Sequence, residues 1–556
     1  MGSQGGMAEL VLGPMLRYAS DTKATLWVET DAACEVEILD HRAHTFSIAG
    51  HHYALLAIEG LEPGSKNPYE VHLDGTKAWP PEDYEYPQPC VTTFDPDKND
   101  VDLSFGSCRL GHPHDEPYCL TKDIDPEGRG VDALYALALR MLNDPDTDWP
   151  EVILLLGDQV YADEVSPETV EFIESRRDTS EPPGCEVADY EEYSRLYRES
   201  WGHPVMRWLF STVSTSMIFD DHDMHDDWNI SKAWVEEIRK QDWWQQRITG
   251  GFATYWVYQH IGNLSPEELD DDDIYERVKA AGDGTQIVFD YATEADREAR
   301  GTRWSVFRDI GRTRLITIDS RAGREVDPGS RRMVDEQEWE WIVEHATGDF
   351  DHLLIGTSLP FVLGPAMQHL EAWNERVCDG AWGGKAAEYG EKMRQGLDLE
   401  HWGAFSESFA MVAELLEEVG SGRRGKPPAS IVLLSGDVHH AYLMEIGFRQ
   451  GAGMQCPVYQ AVCSPFRNPL NRRERLAIRI GMSRPAARIV RGLARLAGTP
   501  APPVGWRREA GPWFDNQVAH LELRGRSASL YLDKALPAEP GSDERKLERV
   551  FERELV

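Results

Sequence analysis

The 556-residue chain carries 57 Lys and Arg against 96 Asp and Glu, a formal net charge of −39, with 41% hydrophobic residues. That charge repels phosphate backbones and anionic surfaces at long range, which argues against nucleic acid as the main partner. A phosphate-bearing substrate must then be drawn by local cations such as a bound metal, and the length calls for two cores, since one stops growing near ~250–300 residues.

The opening MGSQGGMAEL has no basic segment leading into an apolar one and no twin arginine, and no apolar run of ~18 residues occurs anywhere. Met1 to Gly6 read as a cloning scar before a start at Met7, and the chain as cytoplasmic with no transmembrane segment. The cysteines (Cys34, Cys90, Cys108, Cys119, Cys185, Cys378, Cys456, Cys463) include no CxxC pair, which favours a reducing compartment. From 7 to 96, short β-type runs (ATLWVET, CEVEILD, YALLAIEG) alternate with turns, the pattern of a small β-sandwich. Within it GLEPGSKNPYEV resembles the corner of a fibronectin type III domain, with Leu61, Pro63 and Tyr69 in its recurring positions.

From 97 to 535 the pattern changes. VDLSFGSC, EVILLLGD, STSMIFDDHD, DHLLIGTSLP and SIVLLSGDVHH are apolar runs ending in polar residues, with helical segments such as VDALYALALRMLND between them. Such alternation predicts a layered α/β sheet whose ligand crevice lies beyond the carboxyl ends of the strands. The stretch 467–498 is strongly basic at helical spacing. It suits a membrane surface or a partner, but the preferred reading is an insertion packed against acidic surface of the same molecule. AHLELRGRSASLYLD reads as a hairpin around Gly525, and 536–556 as a polar tail helix.

The polar clusters carry the chemistry. Asp158 can place one oxygen on each of two cations, and Tyr161 offers a phenolate suited to ferric iron, although a Gly-Asp after a strand and a rim tyrosine are each common. Cys108 sits at a strand end in the same crevice, where a lone cysteine is usually an inert small hydrophobe. In the Asp220-Asp221-His222-Asp223 run, which follows STSMIF instead of lying on open surface, Asp221 can ligate and His222 can exchange a proton near neutral pH. Asp437 and His439, two apart, would share one face of an extended strand, with His440 on the other. Arg321 follows a strand and could steady a phosphate oxygen, or form a structural ion pair.

In their order and spacing, GSC, GDQVYAD, the DDHD run, ITIDSR, TSLP and SGDVHHA resemble the calcineurin-like metallophosphoesterases, most closely the alkaline phosphatase D (PhoD-like) family, from about Leu103 to the last hairpin. The resemblance implies an α/β fold: a layered β-sandwich metallophosphoesterase (αββα) domain preceded by a small fibronectin type III-like β-sandwich. It implies Fe3+ on Cys108, Asp158, Tyr161 and His439, and a second ion, Ca2+ with Mn2+ or Mg2+ as alternatives, sharing Asp158 and taking Asp221 and Asp437. No histidine stands at Ser358-Leu359-Pro360, where two-metal phosphatases often supply a ligand, and Gln368 to Phe405 reads as a candidate lid. The implied reaction is hydrolysis of a small phosphate ester, monoester or diester, by metal-bound hydroxide, with His222 protonating the leaving group and Asp223 orienting it. A non-catalytic metal-binding protein on the same scaffold is the alternative, and the oligomeric state is not legible.

Overall fold

The computed structural model describes residues 7–144, 149–298 and 302–556, so the expected scar at Met1 to Gly6 lies outside the described residues. Two four-stranded antiparallel sheets form the amino-terminal part. Leu26, Val28 and Leu56 of one face Val36, Ile38, Val71 and Trp79 of the other. The strand Ala24–Thr30 is buried on both sides, because Trp27, with Tyr53 and Leu55 of its neighbour, turns outward into the core of the larger part. Tyr69 does not close a fibronectin-type corner. Its hydroxyl donates to the carbonyl of Ser211, 2.7 Å away in the helix Pro204–Thr212, and so ties the sandwich to its neighbour.

Two further sheets lie face to face beyond residue 100. The first runs in spatial order Ser214–Ile218, Val152–Leu156, Asp100–Gly106, Gln517–Arg524, Ser527–Ala535 and Leu547–Glu554. The second is seven-stranded, with Thr313–Ile318, His352–Thr357, Ser430–Ser435 and Val458–Val462 parallel at its centre. VILLL at Val152–Leu156 is buried throughout, as a central parallel strand covered on both faces must be. Leu154 and Leu156 meet Leu354 and Leu434 of the opposite sheet in one core. Helices cover the outer faces, for example Ser406–Gly420, whose Val412, Leu415 and Leu416 pack on Leu353 and Leu433. The layered α/β arrangement expected from the alternating runs, and the two-sheet sandwich that the family resemblance implies, are what the chain forms, and its parallel strands all deliver their carboxyl ends to one crevice.

The tail differs from expectation. Leu547–Glu554 is a strand, paired antiparallel with Ser527–Ala535. Its charges at helical spacing misled, because the open edge of the hairpin around Gly525 offers a full ladder of backbone hydrogen bonds, which outweighs helix propensity. Arg549 of this strand, with Arg140 and His520, closes on the fully buried Asp533. Burial opposes ionisation there, but the hydrogen bond with His520 and the two arginines outweigh it and hold Asp533 well below the usual carboxylate range. A depressed folded pKa contributes stability above the unfolded value near ~4 and loses it as the pH falls below that. Asp533→Asn is therefore expected to lower unfolding stability at neutral pH by about 2 kcal/mol, discounted because both arginines are partly exposed. In urea titrations the gap between variant and wild type should close toward pH 3; a pH-independent gap would mean that packing, not charge, sets the loss.

The basic stretch forms two helices, Arg472–Gly481 and Arg484–Leu496. They are not held against acidic surface as expected. Arg472 meets Asp123 at 3.2 Å, both exposed, and no other arginine of the two helices has a carboxylate partner among the described residues. The attachment is apolar: Leu493, Ala494 and Ala497 pack on Trp373 and Val377 of the helix Pro365–Cys378.

Candidate metal centre

Each strand end turns sharply into the crevice. Cys108, Asp158, Asp437 and His439 all have positive φ (56°, 52°, 63° and 51°), at a cost of about 1 kcal/mol or more each that only a rigid surrounding sustains. The glycines before two of them are required by space. A Cβ on Gly157, at φ +102°, would stand 2.5 Å from Cβ of Asp220, and one on Gly436 would stand 2.0 Å from the Ser107 hydroxyl. That hydroxyl in turn accepts from Asp437 N–H at 2.9 Å and lies 3.1 Å from Cys108 Sγ. Asp437 and His439 therefore do not share the face of an extended strand, since the strand ends at Ser435. A tight turn brings them together, with His439 N–H donating to the Asp437 carbonyl at 2.8 Å. The same turn sends His440 into the cleft lining, not to the opposite side.

Ligand-type atoms of Cys108, Asp158 and His439 lie within 4.8 Å of one another, as do those of Asp158, Asp221 and His222, and those of Asp220, Asp221 and Asp437. Tyr161 borders the first group, its hydroxyl donating to Asp158 Oδ2 at 3.2 Å and accepting from Asn468 at 3.3 Å. Asp158, Asp221 and Asp437, expected as one ligand set, fall into two overlapping triads joined by Asp221. The donors fit cations. Asp158 Oδ1 is buried without a hydrogen bond, a costly state for a carboxylate that has no cation beside it. Burial pushes Asp158 far above the usual range; His222 opposes this, and Asp221, Asp223 and Asp437 add to it. Burial, Asp158 and Asp437 likewise raise the Cys108 thiol. His439 is lowered by burial to about 4, which leaves its imidazole neutral with a lone pair to give.

His222 stands beside this centre, its ring stacked on Tyr161 at 4.7 Å. Its Nδ1 lies 2.9 Å from Asp163 Oδ1. Burial lowers its pKa, but Asp163 and Asp221 outweigh this and hold it well above the ordinary value. Asp163, the last residue of GDQVYAD, thus takes the orienting place expected of Asp223. The latter is turned inward, its Oδ2 accepting from the backbone N–H of Asp158 and of Asp220, each at 2.9 Å.

Arg321 does not line the cleft. It is fully buried, paired with Asp220 and Glu400, with Nη2 at 3.0 Å from Asp221 and 3.6 Å from Asp437. It offsets carboxylate charge from beneath and cannot reach a substrate in the cleft. His401 escaped the sequence reading: its Nε2 meets Asp437 Oδ2 at 2.9 Å and its Nδ1 meets Glu371 Oε1 at 2.8 Å. It belongs to the segment read as a lid. That segment forms part of the cleft wall, with Trp402 and Phe405 buried in the second core and Leu397 and Glu400 on the cleft.

A pair of stacked sheets flanked by helices that gathers carboxylate, thiol and imidazole groups at the carboxyl ends of its strands has the architecture of the metal-dependent phosphoesterases. The family model for PhoD-like phosphatases matches residues 134–465, well over half the chain, and the chain belongs to that family. It is accordingly a phosphatase-type hydrolase that depends on divalent or trivalent metal ions and acts on phosphate esters. Residues 7–91 match a domain of unknown function, DUF7800. Among solved structures, one described as "Structure of PhoD" superposes with a TM-score of 0.59 at 10% identity, over 99% of this chain and 90% of that one. Purple acid phosphatase PPD1 from yellow lupin (Lupinus luteus) seeds gives 0.46 at 11% identity, over 94% and 71%. The likeness to the former is one of fold. No curated protein matches the chain.

Proposed function

We propose that this enzyme hydrolyses phosphodiesters in preference to monoesters. On this reading Cys108, Asp158, Tyr161 and His439 hold Fe3+, and Asp158, Asp221 and Asp437 hold Ca2+, with Mn2+ or Mg2+ as alternatives. The mixture of sulfur, nitrogen and phenol donors in the first set supports iron, and the all-carboxylate second set supports a hard divalent ion.

One observation carries the ester class. The cleft above these residues, about 300 Å3, has no Lys or Arg on its lining among the described residues, while Leu363, Met367, Ile478 and Met482 make one aliphatic wall. A monoester dianion would bring two charges with no Lys or Arg to meet the second, and the charged imidazoles of His222 and His401 are already engaged by Asp163 and by Glu371 and Asp437. A diester brings one charge, and its extra substituent finds apolar surface.

When bound, the cations supply Lewis acidity and lower the pKa of a coordinated water. The chain's own residues do the rest. His222, charged and fixed by Asp163, holds a proton on the side of the leaving oxygen. The Tyr161 ring keeps the imidazole plane in place, and Arg321 balances the carboxylates from below. The test compares kcat/KM for a bis-aryl phosphate and an aryl phosphate with the same leaving group. A preference for the diester of at least about tenfold, ~1.4 kcal/mol in transition-state binding, is expected. Faster turnover of the monoester would sink the assignment.

A further inference from the structure

The helix Arg484–Leu496 has three sectors. Leu493, Ala494 and Ala497 lie on the side packed against Trp373 and Val377. Arg484, Arg488, Arg491 and Arg495, at spacings of four, three and four, make a second stripe, all exposed. None of these four forms an ion pair among the described residues, in a chain with 96 acidic residues to choose from. The third stripe, beside the arginines, presents Ile489 and Leu496, 74% and 78% exposed. The preceding helix repeats the pairing, with Leu476 and Ile480 exposed at 58% and 55% between Arg473 and Arg479.

We infer that this helical hairpin is a docking surface for an anionic lipid bilayer, lying in the interface with its aliphatic side chains in the acyl boundary and its arginines at the headgroups. Two observations choose this occupant. Unpaired arginines call for negative charge, and the adjacent exposed aliphatic residues call for an apolar phase; an interfacial helix meets both at once. Nucleic acid, or the acidic surface of a second copy, would satisfy the arginines and leave Ile489 and Leu496 in water. The net charge of −39 does not prevent this, because at physiological salt charges beyond ~8 Å are screened and the hairpin itself holds eight arginines against Glu474 alone. Docking would set the cleft mouth beside the headgroup layer, since Ile478 and Met482 of the same hairpin line it.

The test uses the full chain and sedimentation with vesicles of phosphatidylcholine alone or mixed equally with phosphatidylglycerol. Binding is expected to the mixed vesicles only and to weaken with salt. Replacing Arg484, Arg488, Arg491 and Arg495 together by Gln should reduce partitioning by about a hundredfold or more. Ile489→Asp with Leu496→Asp should reduce it at least about tenfold. Both variants should keep the wild-type rate on a water-soluble ester, which shows that they fold. Absence of wild-type binding to anionic vesicles overturns the inference. So does indifference of that binding to Ile489→Asp with Leu496→Asp, which would leave a simple polyanion contact, and so does self-association that the same substitutions abolish, which would assign the surface to a second copy.

Discussion

Replacing His222 by alanine is expected to slow hydrolysis of esters with poor alkoxide leaving groups by about 10²–10⁴-fold, the usual loss when a general acid is removed. An activated aryl ester hardly needs a proton on its leaving oxygen, so its rate should fall far less. Metal content should stay nearly unchanged. This last point discriminates, because His222 also lies within ligand distance of Asp158 and Asp221. Its Nδ1 is already engaged by Asp163, which favours the proton-carrying role. Asp163→Asn should reproduce much of the rate loss with the same dependence on leaving group, whereas Asp223→Asn should chiefly destabilise the fold, since Asp223 caps the backbone of both Asp158 and Asp220. Equal losses on both ester types, or a metal ion missing from the His222→Ala protein, would make His222 a ligand.

The strands and the candidate ligand residues at their ends were legible for one physical reason. A parallel strand covered on both faces must be apolar throughout, so the first polar residue after it marks the crevice; EVILLLGD and SIVLLSGD show the switch within one or two residues. The glycines were legible as motif letters but not as sterics: only the fold shows that Gly436 has no room for a side chain beside Ser107. Asp163 was harder, because it lies in an irregular loop where no periodicity assigns it a direction. His401 reaches Asp437 from an inserted helical segment 36 residues earlier, a distance in sequence that only the packing of Glu371 and Trp402 closes. Arg321 stayed open between two readings because a basic residue after a strand looks equally apt for substrate or for carboxylates below it, and burial decides between them. The tail was misread because a charged segment is amphipathic to helix and edge strand alike until a free sheet edge is in view.

The same buried charges set the last expectation, for the metals themselves. Asp158 is shared between two ligand groups, and its Oδ1 has no hydrogen bond, so the protein stripped by chelation holds a buried carboxylate at its own expense. Burial raises its folded pKa, so a metal-free chain should lose stability as the pH rises above the unfolded value near ~4 toward that raised pKa, where the carboxylate must ionise with only His222 to offset it. Bound cations reverse this and stabilise by mass action, about 4 kcal/mol at a free ion concentration ~1,000 times the dissociation constant. Chelation is therefore expected to lower the unfolding temperature of the wild type by several degrees, and to leave Asp158→Ala, already metal-free and inactive on every ester, unmoved. If the first ion is iron, the protein as isolated is coloured by charge transfer from Tyr161 or Cys108, and Tyr161→Phe should shift or bleach that band while retaining more metal than Asp158→Ala. A colourless, iron-free protein with full activity would refute the iron assignment; unfolding indifferent to chelator would show that the carboxylates carry no cation at all.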